Sequence, residues 1–148
     1  MGQVILNNAE TSEEDIIKAC KKADIYDFIN SLPKRFETVV GEDGINFSGG
    51  QKQRFSIARA YLSSASTIIF DEATSALDSI TENNIKTYIN DMSKNKIIII
   101  ISHKINFLEI CDNIYVFKDG KIVEEGSHAK LIKQNKLYYK MSKLQSNQ

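Results

Sequence analysis

The feature that most constrains this chain is a change of hydrophobic period between Ser48 and Glu72. Behind Ser48, the apolar residues Phe55, Ile57, Ala58 and Leu62 recur at helical spacing. A few residues later Thr67–Phe70 is a continuous β-branched and aromatic run, which reads as a buried strand, and it closes on Asp71-Glu72. A helix feeding a strand that ends in two carboxylates belongs to α/β architecture, where the carboxyl edge of the sheet is the usual place for a ligand. The helix start is equally specific. Ser48 reads as an N-cap, and Gly49 and Gly50 leave backbone N–H groups open to an anion with no Cβ in the way.

The flanking sequence continues the alternation. Thr11 or Ser12 caps a first helix with Glu13, Glu14 and Asp15 in its first turn and Ile16, Ile17, Ala19, Cys20 and Ala23 on one face. Ile25–Ile29 predicts a short second helix stopped by Pro33, the only proline, and Gly41–Gly44 a loop. Ser79–Met92 predicts another helix. Lys96–Ile101, with five consecutive isoleucines, predicts a strand covered on both faces. Ile105–Cys111 reads as a short helix. Asn113–Phe117 and Lys121–Glu124 read as strands joined by Lys118-Asp119-Gly120, a hairpin turn. Ser127 caps a helix through Leu131, and Leu137–Leu144 forms the last one.

Composition narrows the function classes. Lys+Arg and Asp+Glu number 19 each, so the formal net charge is zero and nothing favours nucleic acid as a partner. The apolar run Ile97–Ile101 is far too short to span a bilayer, and the first ten residues lack the pattern of a signal peptide. Cys20 and Cys111 are distant and lack metal-ligand spacing, consistent with a reduced compartment.

Three further stretches carry chemistry. Asp71 and Glu72 are adjacent on a strand and therefore point to opposite faces, so they can take separate tasks. Taken alone, a solvated strand end is the ordinary meaning of such a pair. Ala73-Thr74-Ser75-Ala76-Leu77-Asp78 contains helix-capping candidates at Ser75 and Asp78. His103 follows the isoleucine strand and so belongs to the same sheet edge, whereas His128 reads as a surface residue.

Together, Gly44–Arg54 (GINFSGGQKQR), Thr67–Glu72 (TIIFDE), Ala73–Asp78 (ATSALD) and Ile101–Lys104 (ISHK) resemble, in order and spacing, the signature, Walker B, D-loop and switch-histidine motifs of ATP-binding cassette (ABC) ATPases. Phe47 stands where the family usually has Leu, a swap that keeps an apolar anchor. Ala23–Val40 and Lys118–Ser127 resemble the helical subdomain and C-terminal strands of exporter-type domains, so the likeness covers essentially the whole chain. No G-x-x-x-x-G-K-[ST] phosphate loop occurs in the 148 residues. Gln3, the one upstream glutamine of interest, lies too close to Ser48 to be the family's glutamine-loop residue.

The resemblance implies an incomplete P-loop NTPase-like α/β domain. A partial helical subdomain with the signature motif (residues 1–62) precedes the C-terminal part of the ATPase core (63–148), a mainly parallel sheet with flanking helices and a C-terminal β-hairpin. It implies ATP and Mg²⁺ as cofactors of the complete domain. Glu72 and His103 would be catalytic, and Asp71 would hold Mg²⁺ through water. Ser48, Gly49, Gly50 and Gln51 would bind nucleotide in trans, and Ser75, Ala76, Leu77 and Asp78 would form the D-loop at a dimer contact. The implied partners are a second ABC ATPase domain, in a homo- or heterodimer, and a transmembrane domain upstream in the same polypeptide, which would put the segment at the cytoplasmic face of a membrane. The implied function is Mg-ATP hydrolysis coupled to export in the complete protein, with this chain alone inactive. The competing reading is a non-catalytic truncated module that pairs with or regulates a complete ABC domain.

Overall fold

Local signals set most of the elements. The structure, a computed structural model, describes residues 2–3, 11–40, 46–72 and 79–146. Gly41–Gly44 and Ala73–Asp78, the D-loop residues included, lie outside the described residues. The chain divides into two compact units, Met1–Ile99 and Ile100–Gln148.

In the first unit, Ser12 caps α1 (Glu13–Lys22), its Oγ accepting from the Asp15 N–H at 3.1 Å. Three acids in the first turn and Lys21 and Lys22 in the last complement the helix dipole. Asp24 turns the chain at φ 55° into α2 (Tyr26–Ser31). That helix stops where Leu32, forced extended by the following Pro33, cannot continue it. A single 3₁₀ turn at Arg35–Glu37 leads to β2 (Val39–Val40), which pairs antiparallel with β1 (Gly2–Gln3), Gly2 opposite Val40 and Gln3 opposite Val39. Neither of these two-residue strands is legible as a periodic pattern.

α3 (Gly49–Leu62) buries Ile57 and Ala58, with Phe55 and Leu62 half-buried. α1 packs against α3 and against α4 (Ser79–Met92), which buries Ile85, Tyr88, Ile89 and Met92. Polar ties cross the same seam. The Asp24 carboxylate accepts from Arg54 Nη1 at 3.4 Å and from Thr81 Oγ1 at 3.2 Å, and Lys22 Nζ meets Asp91 at 2.9 Å.

β3 (Thr67–Asp71) and β4 (Ile97–Ile101), joined through α4, form a two-stranded parallel sheet. β3 alternates as a half-covered strand, with Ile68 and Phe70 buried and Ile69 61% exposed. β4 departs from expectation. Ile97, Ile99 and Ile101 are 65%, 44% and 53% exposed, and Ile98 and Ile100 are only half-buried. The run has the composition of a doubly covered strand, but among the described residues the sheet has one partner strand and its outer face remains open.

In the second unit, α5 spans only Ile105–Leu108, shorter than the expected Ile105–Cys111. β5 (Ile114–Lys118) and β6 (Lys121–Gly126) form the expected hairpin, with Asp119 at φ 52° and Gly120 at φ 74°, the two positive values that a type I′ turn demands. Ser127 caps α6 (His128–Lys133), and α7 (Leu137–Ser146) ends the described chain. Ile105, Ile114, Val116, Leu131 and Tyr138 make the core of this unit. The class is the expected one: α/β, helices first, then a parallel strand pair and a C-terminal hairpin.

Candidate functional site

The N-terminus of α3 is built from a reciprocal cap. Ser48 Oγ accepts from the Gln51 N–H at 3.3 Å, and the Gln51 side-chain carbonyl accepts from the Ser48 N–H at 2.9 Å. Of the donors clustered there, those of Ser48 and Gln51 are therefore used, and Lys52 N–H bonds the Ser48 carbonyl at 2.9 Å. Among the described residues no acceptor meets the N–H groups of Gly49 and Gly50. Two open donors thus stand at the positive end of a 14-residue helix, an arrangement whose electrostatics favour an anion. Ser48 Oγ keeps its own hydrogen to donate, since as a cap it only accepts. Phe47 pins this helix start from behind. It is buried with Leu32, its ring 5.4 Å from Phe28 in an edge-on arrangement and 5.5 Å from Phe55.

The second component lies at the end of β3. Asp71 is its last residue and Glu72 follows, both exposed. Glu72 adopts φ 47°, a left-handed conformation uncommon for a residue with a Cβ. The Glu72 carbonyl accepts from Gln53 Nε2 at 3.2 Å. Gln53 stands on α3 just beyond Ser48–Gln51, so one side chain links this helix to the carboxylate edge. The sequence singled out the residues on both sides of this link but not Gln53 itself.

In the second unit, His103 is exposed after β4, and its carbonyl accepts from Gln145 Nε2 at 2.6 Å. The Gln145 side-chain oxygen accepts from the Ile105 N–H at 2.8 Å. His128 is not the surface residue expected. It is half-buried, with Nδ1 2.9 Å from the Tyr138 hydroxyl and Nε2 3.9 Å from Glu109, because α6 lies against α7 and turns the ring inward. Glu124 was also missed. It is buried, and its Oε1 accepts from the Leu137 and Tyr138 N–H groups at 2.7 and 3.3 Å, capping α7 from another element. A depression of about 480 Å³, lined by residues that include Val123, Glu124 and Lys140, contains none of the expected site residues.

Among the described residues no three His, Cys, Asp or Glu side chains converge as a metal cage.

Comparison with known proteins identifies the family. The ABC transporter family model matches residues 2–75, half of the chain. The chain belongs to the ABC transporter family. Its relatives place it in the exporter-type nucleotide-binding domain of that family. The segment is 47% identical to the "ABC multidrug transporter mdr1" of Aspergillus fumigatus over 93% of this chain and 10% of that protein. It is 43% identical to the "ATP-dependent lipid A-core flippase" of Idiomarina loihiensis over 92% of this chain and 23% of that one. A solved bacterial Atm1-family ABC exporter with ATP bound superposes with a TM-score of 0.82 at 37% identity, over 93% of this chain and 24% of the solved chain. The ABC segment thus spans from about a tenth to a quarter of the length of these proteins. Among its described residues no helix is long and apolar enough to cross a membrane.

Proposed function

We propose that this segment is the C-terminal part of the ATP-hydrolysing domain of an ABC exporter, and that in the complete protein it couples Mg-ATP binding and hydrolysis to transport across a membrane. The observation that carries this reading is the pairing, within one unit, of an open helix N-terminus at Ser48–Gly50 with the carboxylate edge at Asp71-Glu72, linked by Gln53.

The residues divide the work as their chemistry allows. The Gly49 and Gly50 N–H groups and the Ser48 hydroxyl bind phosphate oxygens of nucleotide held by a second ABC domain, and Gln51 locks the cap that presents them. Asp71 would hold Mg²⁺, which would supply neutralisation of phosphate charge. Glu72 polarises the attacking water as general base, and His103 orients it and contacts the γ-phosphate. Ser75–Asp78 form the dimer contact. Residues 1–62 serve as part of the helical subdomain and 63–148 as part of the core. The partners are a second ABC domain and the membrane-embedded part of the transporter, upstream in the same polypeptide, which puts the segment at the cytoplasmic membrane face.

The test is Glu72→Gln in the complete transporter. The variant keeps shape and loses the base, so turnover falls by roughly 10²–10⁴-fold while nucleotide binding is retained. Unchanged ATP turnover refutes the assignment.

A further inference from the structure

The His103 segment is held by a residue that no motif contains. α5 begins at Ile105 and has no local side-chain cap, because its N-cap position is Lys104. A helix start without a cap leaves N–H groups exposed. Here the missing acceptor comes from α7: Gln145 Oε1 takes the Ile105 N–H at 2.8 Å. The same carboxamide donates from Nε2 to the His103 carbonyl at 2.6 Å. One planar amide therefore grips the backbone at two points, on either side of Lys104, in the manner of a neighbouring strand. The Lys104 N–H bonds Ser102 Oγ at 3.0 Å, so the turn is pinned from both ends. Such a grip restrains the φ and ψ of His103, and with them the direction in which its imidazole leaves the chain.

We infer that Gln145 is a positioning residue for His103, and that α7 thereby takes part in setting the rate of hydrolysis. This rests on the function proposed above for His103. Gln145 itself touches no nucleotide in this scheme. Its contribution is the preorganisation of a group that must meet the transferring phosphate within a fraction of an ångström.

Two variants of the complete transporter separate positioning from capping. Gln145→Glu keeps an oxygen for the Ile105 N–H but loses the donor to the His103 carbonyl. Gln145→Met keeps the volume and loses both bonds. If Gln145 positions His103, both variants lower kcat for ATP by about 3- to 10-fold, the worth of one hydrogen bond, with KM within twofold. The His103 ring resonances shift in both. Adding either change to His103→Ala costs nothing further, because the two residues act as one unit. If Gln145→Glu turns over like wild type while Gln145→Met loses thermal stability, the amide is only a helix cap and the inference falls. If His103→Ala alone leaves hydrolysis unchanged, the assigned role of His103 fails and the inference falls with it. A slowed His103→Ala beside unaffected Gln145 variants overturns the inference alone.

Discussion

Phe47→Ala is the substitution whose consequence the structure fixes most closely. The Phe47 side chain is 7% exposed and packs with Leu32, Phe28 and Phe55. A buried Phe removes about 150–250 Å² from water, which at about 25 cal/mol/Å² gives roughly 4–6 kcal/mol. Compactness of the unfolded chain and the surface that Ala retains reduce this to about 3–4 kcal/mol, in the range of measured Phe→Ala losses. Phe47→Leu should cost less, about 1–2 kcal/mol, mainly through loss of the two ring contacts. The family's usual Leu is therefore not a neutral exchange here, because Phe28 and Phe55 are arranged around a ring. The loss should also reach the neighbouring cap. Ser48→Ala alone costs about 1 kcal/mol, and with Phe47 already removed the cap is no longer held in register, so the double variant should lose less than the sum. Urea unfolding followed by far-UV circular dichroism measures all four species, and amide exchange at Gln51 reports the cap directly. A Phe47→Ala loss below about 1 kcal/mol at unchanged m-value, or strict additivity with Ser48→Ala, would show that the Phe47 ring does not anchor the cap of α3.

Four further outcomes are expected. Hydrogen bonds from Lys22 and Lys94 hold the Asp91 carboxyl down at about 2, below its ordinary 3.8, so its contribution is complete above the ordinary value and is lost as pH falls from about 4 through about 2; an Asp91→Asn chain should lack that part of the acid transition in a pH-dependent melt. Burial pushes the Cys20 thiol up to about 11 and raises that of Cys111, where the Asp112 charge adds to the effect. Cys20, fully buried, should not react with a disulfide reagent at pH 8 until the chain unfolds, whereas the half-buried Cys111 should react, but more slowly than a free thiol; rapid native-state labelling of Cys20 would contradict this. With Ile97 65% exposed on an open apolar sheet face, the chain should self-associate in light scattering and Ile97→Lys should reduce that association, whereas a monodisperse monomer or an unchanged particle size would show that this face is not adhesive. Calorimetric titration of the chain with Mg-ATP should show neither binding nor phosphate release, since no phosphate-cradling G-x-x-x-x-G-K-[ST] occurs in it; micromolar binding would reveal a phosphate site that the motifs do not describe.

Sequence and structure agree where a short-range rule decides. Ser48 and Ser127 cap the helices the sequence assigned to them, Ser12 of the two candidates Thr11 and Ser12 caps the first helix, and Asp119-Gly120 makes the turn its φ values require. These signals are complete within a few residues. The isoleucine run misled because composition states the surroundings a strand suits, not the surroundings it has: five isoleucines suit a dry environment, yet alternate ones stand 44–65% exposed. His128 misled for the opposite reason. Nothing within its helix foretells that Tyr138, ten residues on, will meet its ring.

The candidate site divides along the same line. Asp71, Glu72 and His103 are visible in sequence because a charged or titratable group after an apolar, β-branched run is chemically conspicuous. Gln53 and Gln145 are neutral amides on helices, among the most ordinary residues to find there. They matter through bonds that span 19 and 42 residues of chain, to backbone carbonyls that every residue possesses. Each of the two proposed catalytic residues is thus held at its carbonyl by a glutamine from a helix, Glu72 from α3 and His103 from α7. A residue with φ 47° beyond a strand end does not keep that conformation by local preference alone. If the Gln53 bond supplies the restraint, Gln53→Glu, which substitutes an acceptor for the donor, should release Glu72 toward extended φ. The three-bond HN–Hα coupling of residue 72 in the full chain would record the change. A coupling that stays at its left-handed value would show that the Gln53 bond is not what holds Glu72, and that the link between helix and carboxylate edge is incidental.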